Sequence, residues 1–164
     1  MSDEIIKSSD YINWSAFIFN KIKHAQTQTA LKVNADMLAL YWEIGNSIIE
    51  KQRQNSWGSK VIDLLAADLA RNFPESRGFS VRNLKYMRAF SEAYPDFPIV
   101  QVPLAQSENQ FVQVPLAQIT WYHHISLLAK VKNVGERAFY IAETSKNEWS
   151  RDVMLLQVQS KLYS

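Results

Sequence analysis

The chain has 164 residues, 47% of them apolar with five Trp, seven Tyr and eight Phe, and its net charge is only +2. That is ample material for a packed interior, so a folded chain and not a disordered one is expected, and the length suits one domain or two small helical halves sharing a core. With no cysteine present, disulfides, thiolate zinc sites and cysteine nucleophiles are excluded together, as suits a reducing compartment.

The opening MSDEIIKSSDY is mildly acidic and lacks the basic region and apolar run of a signal peptide. No apolar run approaches the roughly 20 residues of a membrane span, so a cytoplasmic protein without membrane contact is expected. Helical spacing dominates the chain. A first helix is predicted over residues 11–29, with Trp14, Phe17, Ile18, Ile22 and Ala25 as its apolar stripe. Asn34 is placed to cap a second helix over 35–54, in which Met37, Leu40, Tyr41, Ile44 and Ile48 line up. Gly45 weakens that helix by about 1 kcal/mol relative to Ala, so the close approach of another backbone is the expected reason for it.

After a turn at Trp57-Gly58, a third helix over 59–72 starts at Ser59 and stops before Pro74, which disfavours helix in the residue preceding it. Ser80 is a good N-cap for a fourth helix over 80–93, where Leu84, Met87, Phe90 and Tyr94 share one side. Arg82, Lys85 and Arg88 fall on the other side, over an arc of about 120°. Four basic residues and no acid lie between Arg77 and Ala89. One greasy and one cationic face suit a phosphate backbone or a major groove, although a solvated surface helix has the same pattern.

Between 95 and 119 the character changes, with prolines at 95, 98, 103 and 115 and the heptapeptide VQVPLAQ at both 100–106 and 112–118. A loop is the preferred reading, because Pro103 and Pro115 would cut strands short. The alternative is a short β-hairpin turning at Ser107-Glu108-Asn109. Helices return over 121–131, 135–146 and 150–163, the last capped by Ser150 with Asp152 in its first turn. That helix is expected still to be running at Tyr163-Ser164, as in a segment of something longer. The fold expected is an all-α multi-helix bundle in a single domain over 1–164, with the Pro-containing loop or short hairpin inserted.

Catalytic motifs are sparse. The four glycines are scattered, so no phosphate loop can be drawn, and three His with no HExxH spacing make no zinc site. His123 is expected to be a packed or capping residue. Pro95-Asp96 supplies the start of a PD…(D/E)xK nuclease motif, but Glu143-Thr144-Ser145-Lys146 has the wrong spacing to complete it. The chain is therefore expected to be non-catalytic, with no metal and no cofactor. Helices 59–72 and 80–93 form a candidate helix-turn-helix, with a turn longer than the usual three or four residues. In that arrangement Ser80 opens the reading helix, Arg77, Lys85 and Arg88 meet phosphates, and Arg82 and Asn83 reach base edges. The entry Phe79-Ser80-Val81-Arg82 has an echo in Trp149-Ser150-Arg151.

Long stretches carry a family resemblance: YWEIGNSIIEKQ, WGSKVIDLLAADLARNFP, GFSVRNLKYMRAFSEAYPDF, PLAQITWYHHISLLAKVKN and ERAFYIAETSKNEWSRDVMLLQVQSKLY. From about Trp14 to Tyr163 the chain resembles the N-terminal domain of the YhcG-type nuclease family. The resemblance implies a bacterial, helical domain, of helix-turn-helix DNA-binding type, joined in full-length relatives to a C-terminal PD-(D/E)xK nuclease domain that this chain lacks. Where the family usually shows Trp-Gly-His-Asn, Trp121 and His123 match while Tyr122 and His124 depart. The expected function is a nucleic-acid-binding module, with DNA preferred, that targets such a nuclease. The rival is a protein-interaction module that makes a homodimer or docks a partner, for which the many Trp and Tyr residues are suited.

Overall fold

The computed structural model describes residues 8–104 and 107–163, with residues 102–104 and 107–112 given by backbone alone. The described residues form a mainly α, multi-helix fold, as expected. In chain order they are α1 (Ser9–Asn55), α2 (Lys60–Asn72), α3 (Val81–Ala93), strands β1 (Ile99–Leu104) and β2 (Ser107–Pro115), a 3-10 turn (Leu116–Gln118), α4 (Trp121–Lys130), α5 (Val134–Asn147) and α6 (Arg151–Gln159).

The first two predicted helices are one. α1 has 47 residues, so it is about 70 Å long at about 1.5 Å per residue. Nothing breaks it near residue 30: no Gly or Pro occurs between Ser9 and Ile44, and Ala30, Leu31, Lys32 and Ala35 include strong helix formers. Ser8 caps the helix, accepting from the Tyr11 amide. Asn34 is therefore not a cap. Its Nδ2 donates to the carbonyls of Ala117 (2.9 Å) and Ile119 (3.0 Å), clamping α1 to the segment that enters α4.

The core lies along the C-terminal half of α1, where Leu38, Tyr41, Gly45 and Ile48 are buried. They pack on α3, whose Leu84, Met87, Phe90 and Ser91 are buried in turn. Leu38 takes the place expected for Leu40, which is exposed. The expectation for Gly45 holds: a Cβ there would overlap the Met87 carbonyl and the Ser91 hydroxyl. The seam is also bonded. Ser91 Oγ donates to the Trp42 carbonyl at 2.6 Å, and Trp42 Nε1 donates to the Tyr94 carbonyl at 2.9 Å. Phe90 sits at the centre, edge-on to Tyr94, Phe97, Trp121 and His124 at 4.9–6.0 Å between ring centroids. By contrast the stripe predicted for residues 11–29 is not covered: Trp14, Phe17 and Ile22 are each at least 50% exposed.

The preferred loop reading of 95–119 is overturned, because β1 and β2 pair antiparallel. The two copies of V-Q-V face one another, with Val100 opposite Val114, Gln101 opposite Gln113 and Val102 opposite Val112. Period-two alternation buries Val100 and Val114 while Gln101 and Gln113 stay exposed. Pro103 and Pro115 fall near strand ends, where a missing donor costs least. Ser107, Glu108 and Asn109 belong to β2 and are not the turn; residues 105–106 lie outside the described residues. The last helix is also shorter than expected. α6 ends at Gln159; Lys161 is left-handed (φ 59°), and the Tyr163 amide donates to Tyr140 Oη, which folds the chain back on α5.

Candidate nucleic-acid interface

The N-termini of α3 and α4 meet at one cleft. Ser80 accepts from the Asn83 amide (3.1 Å) and Thr120 accepts from the His123 amide (3.4 Å), so each helix starts at a capped turn. The positive end of a helix dipole favours anions. Asn83 joins the two starts, its Oδ1 accepting from Trp121 Nε1 at 2.8 Å and its Nδ2 donating to the Gly78 carbonyl. The cleft between them has a volume of about 710 Å³, and Arg77, Arg82 and Arg151 contribute to its walls. All three arginines are exposed. The Arg82 guanidinium lies over the Tyr86 ring, 5.7 Å from its centroid, an arrangement that holds a cation in place without neutralising it. Arg151 is partly offset by Asp152 at 3.4 Å.

Tyr41 forms the floor, edge-on to Trp121 at 4.9 Å. Burial pushes its hydroxyl above the usual phenol range, and Tyr122 adds to the effect. The floor therefore stays uncharged at neutral pH. A Cβ on Gly78 would come within 2.7 Å of this hydroxyl, so a residue with no side chain lets the Arg77–Ser80 turn close over it. Tyr122 stands at the rim and is 66% exposed.

The six residues singled out in the sequence do not form one face. Arg77, Ser80, Arg82 and Asn83 line the cleft. The Asn83 side chain is already bonded at both ends, so it positions the cleft and is not free to read a base edge. Lys85 lies in a neighbouring groove with Arg82, Tyr86 and Lys132. Arg88 turns back to α1, where its Nε donates to Gln52 (2.7 Å) and its Nη1 pairs with Glu92 (2.8 Å). Arg151 and Tyr122 were not among the six. The signal for Arg151 was the echo of the Ser80 turn in Trp149-Ser150-Arg151.

The two histidines behave differently. His123 is a capping residue, its Nδ1 2.7 Å from Thr120 Oγ1 and its Nε2 2.9 Å from the Trp149 carbonyl. His124 is fully buried, with Nε2 donating to the Leu116 carbonyl at 2.8 Å, and desolvation lowers its pKa to about 4. Both are structural in this setting. Among the described residues no three His, Asp or Glu side chains converge as a metal site, and no helix is long and apolar enough to cross a membrane.

By its similarity to a putative nuclease, this mainly helical domain falls in a nuclease-associated class. Residues 17–164 match the DUF1016 N-terminal domain, and the chain belongs to that family. It is 30% identical over 168 residues to "Putative nuclease YhcG" of Escherichia coli (strain K12), covering 89% of this chain and 44% of that relative. The chain thus spans less than half the length of the relative it matches. No solved structure matches it.

Proposed function

We propose that this chain is a single helical domain that binds nucleic acid, DNA in the first instance, and targets a YhcG-like nuclease in the cytoplasm without catalysis of its own. In this reading the nuclease chemistry belongs to the C-terminal domain of full-length relatives. The observation that carries the proposal is the convergence of two helix N-termini and three exposed arginines on one cleft. Phosphates take the cleft: Arg77, Arg82 and Arg151 neutralise them, and the first-turn amides of α3 add directed donors. Lys85 and Lys132 extend the track along α3. Exposed Tyr122 at the rim offers a stacking face to an unpaired base. α2 and α3 serve as the helix-turn-helix-like pair, with the N-terminus of α3 nearest the nucleic acid.

The test is a fluorescence-anisotropy titration with labelled duplex, branched and single-stranded DNA across a salt series. Binding that weakens steeply with salt, and is lost in a folded Arg77/Arg82/Arg151→Glu variant, is the expected result. Absence of binding to all three at low salt would reject the reading for this domain.

A second reading is favoured by a separate observation. The N-terminal half of α1 exposes Trp14, Phe17, Phe19 and Ile22, each at least half exposed, as in a protein-interaction or dimerisation module. The two readings concern different surfaces and are compatible.

A further inference from the structure

Apolar positions of α1 recur at elevens: Tyr11, Ile22, Val33 and Ile44 form one series, and Ile18 and Leu40 lie on another whose middle position is Thr29. Eleven residues make three turns at about 3.67 residues per turn, so such a repeat runs nearly straight along a helix. The stripe is therefore continuous from the arm at residues 11–29 to the body of the domain. Its two ends differ in shape. The arm presents uncovered side chains, whereas at the body the stripe borders an apolar groove of about 490 Å³ between α1 and α2, lined by Leu40, Ile44, Trp57, Val61 and Leu65. Projections and a groove thus lie on the same stripe of one helix, about two dozen residues apart, which is the layout of a surface complementary to itself.

We infer that a second copy of this chain packs antiparallel along α1, each arm lying in the other's α1–α2 groove about a two-fold axis near residue 31. The inference rests on the second reading above and specifies its occupant and geometry. Antiparallel pairing about that axis sets Ile18 against Ile44, Ile22 against Leu40 and Thr29 against Val33 of the other copy. It also brings Lys21, on one flank of the stripe, beside Glu43 of the second copy. Parallel pairing would instead place Lys21 against Lys21 and leave each groove facing a groove. Tyr11, Ile22, Val33, Leu40 and Trp57 are all exposed along stripe and groove, the kind of apolar area that a standard stable interface of ~800 Å² per partner is built from.

The test uses the whole chain. Sedimentation equilibrium should show a dimer, and Ile18→Asp with Ile22→Asp should weaken it by at least about 100-fold. Circular dichroism guards against misfolding; these side chains lie outside the buried core. Because the chain has no cysteine, single spin labels report the geometry directly. Gln28→Cys labels should lie within about 30 Å of each other and Asn13→Cys labels about 55 Å apart, from a rise of about 1.5 Å per residue on either side of the axis. Short distances at both positions, or a dimer indifferent to the Ile18/Ile22 changes, would overturn the antiparallel arm exchange while leaving self-association standing. A monomer at about 100 μM would overturn both; neither outcome bears on DNA binding at the cleft.

Discussion

The indole of Trp121 donates a 2.8 Å hydrogen bond to Asn83 Oδ1, linking the first residue of α4 to the first turn of α3. Because the Asn83 amide also donates to the Gly78 carbonyl, one side chain holds three segments of the cleft in register. Asn83→Ala would leave the nearly buried indole N–H of Trp121 without a partner, at a cost of about 1–3 kcal/mol. Urea denaturation should show that loss. Asn83→Asp, which keeps the acceptor, should recover part of it.

Gly45 and Gly58 make a matched pair of opposite sign. A methyl group on Gly45 would overlap the Met87 carbonyl, a backbone atom on α3 that cannot move alone, whereas nothing lies within 4 Å of a Cβ on Gly58. Gly45→Ala should therefore destabilise by about 1–3 kcal/mol or more through separation of α1 from α3. Gly58→Ala should be neutral or mildly stabilising, by at most about 1 kcal/mol, since it restricts the unfolded chain. Thermal denaturation of both variants checks the contrast.

What the sequence revealed depended on the range of the forces involved. Ser80, Ser150 and the apolar side of α3 were legible because capping and helical periodicity are local. Gly45 was legible because a mid-helix glycine is unfavourable unless something approaches it closely. Asn34 was misread: its local context suits a cap, but two carbonyls more than 80 residues away claim its amide. The hairpin was misjudged for a similar reason. Each V-Q-V piece alone is too short to declare itself, and its stabilisation comes from the other copy and from the core beneath. Arg88 resembled Arg82 in the sequence, yet Gln52 on α1, 36 residues away, draws it aside.

His124 should make the fold sensitive to acid. Burial lowers its pKa from the ordinary 6.5 to about 4, so the folded state holds it neutral. Below the unfolded value of about 6.5 the unfolded chain binds a proton that the native state refuses. This contribution is fully present above pH 6.5 and is lost progressively as the pH falls to about 4, where the native histidine also protonates. Over that window the loss from this residue is on the order of 3 kcal/mol. His124→Gln lacks the titration, so its stability should depend less on pH between 6.5 and 4. Chemical denaturation midpoints measured at half-unit pH steps test this.

The divided roles of the basic residues predict divided effects on binding. A cation that meets a phosphate releases counterions, so its removal lowers the slope of log affinity against log salt by about 0.9 per contact on duplex DNA. Arg82 is exposed, held on the Tyr86 ring, and faces the cleft without a carboxylate partner among the described residues. Arg82→Gln should therefore reduce the slope by about one contact and weaken binding most at low salt. Arg88 is already paired with Glu92 and bonded to Gln52. Arg88→Gln should leave the slope unchanged, and since the Glu92 pair is a solvent-accessible one, its effect on stability should stay within about 1 kcal/mol. Equal slope changes for the two variants would mean that the whole arc of α3, and not the cleft at its N-terminus, meets the nucleic acid.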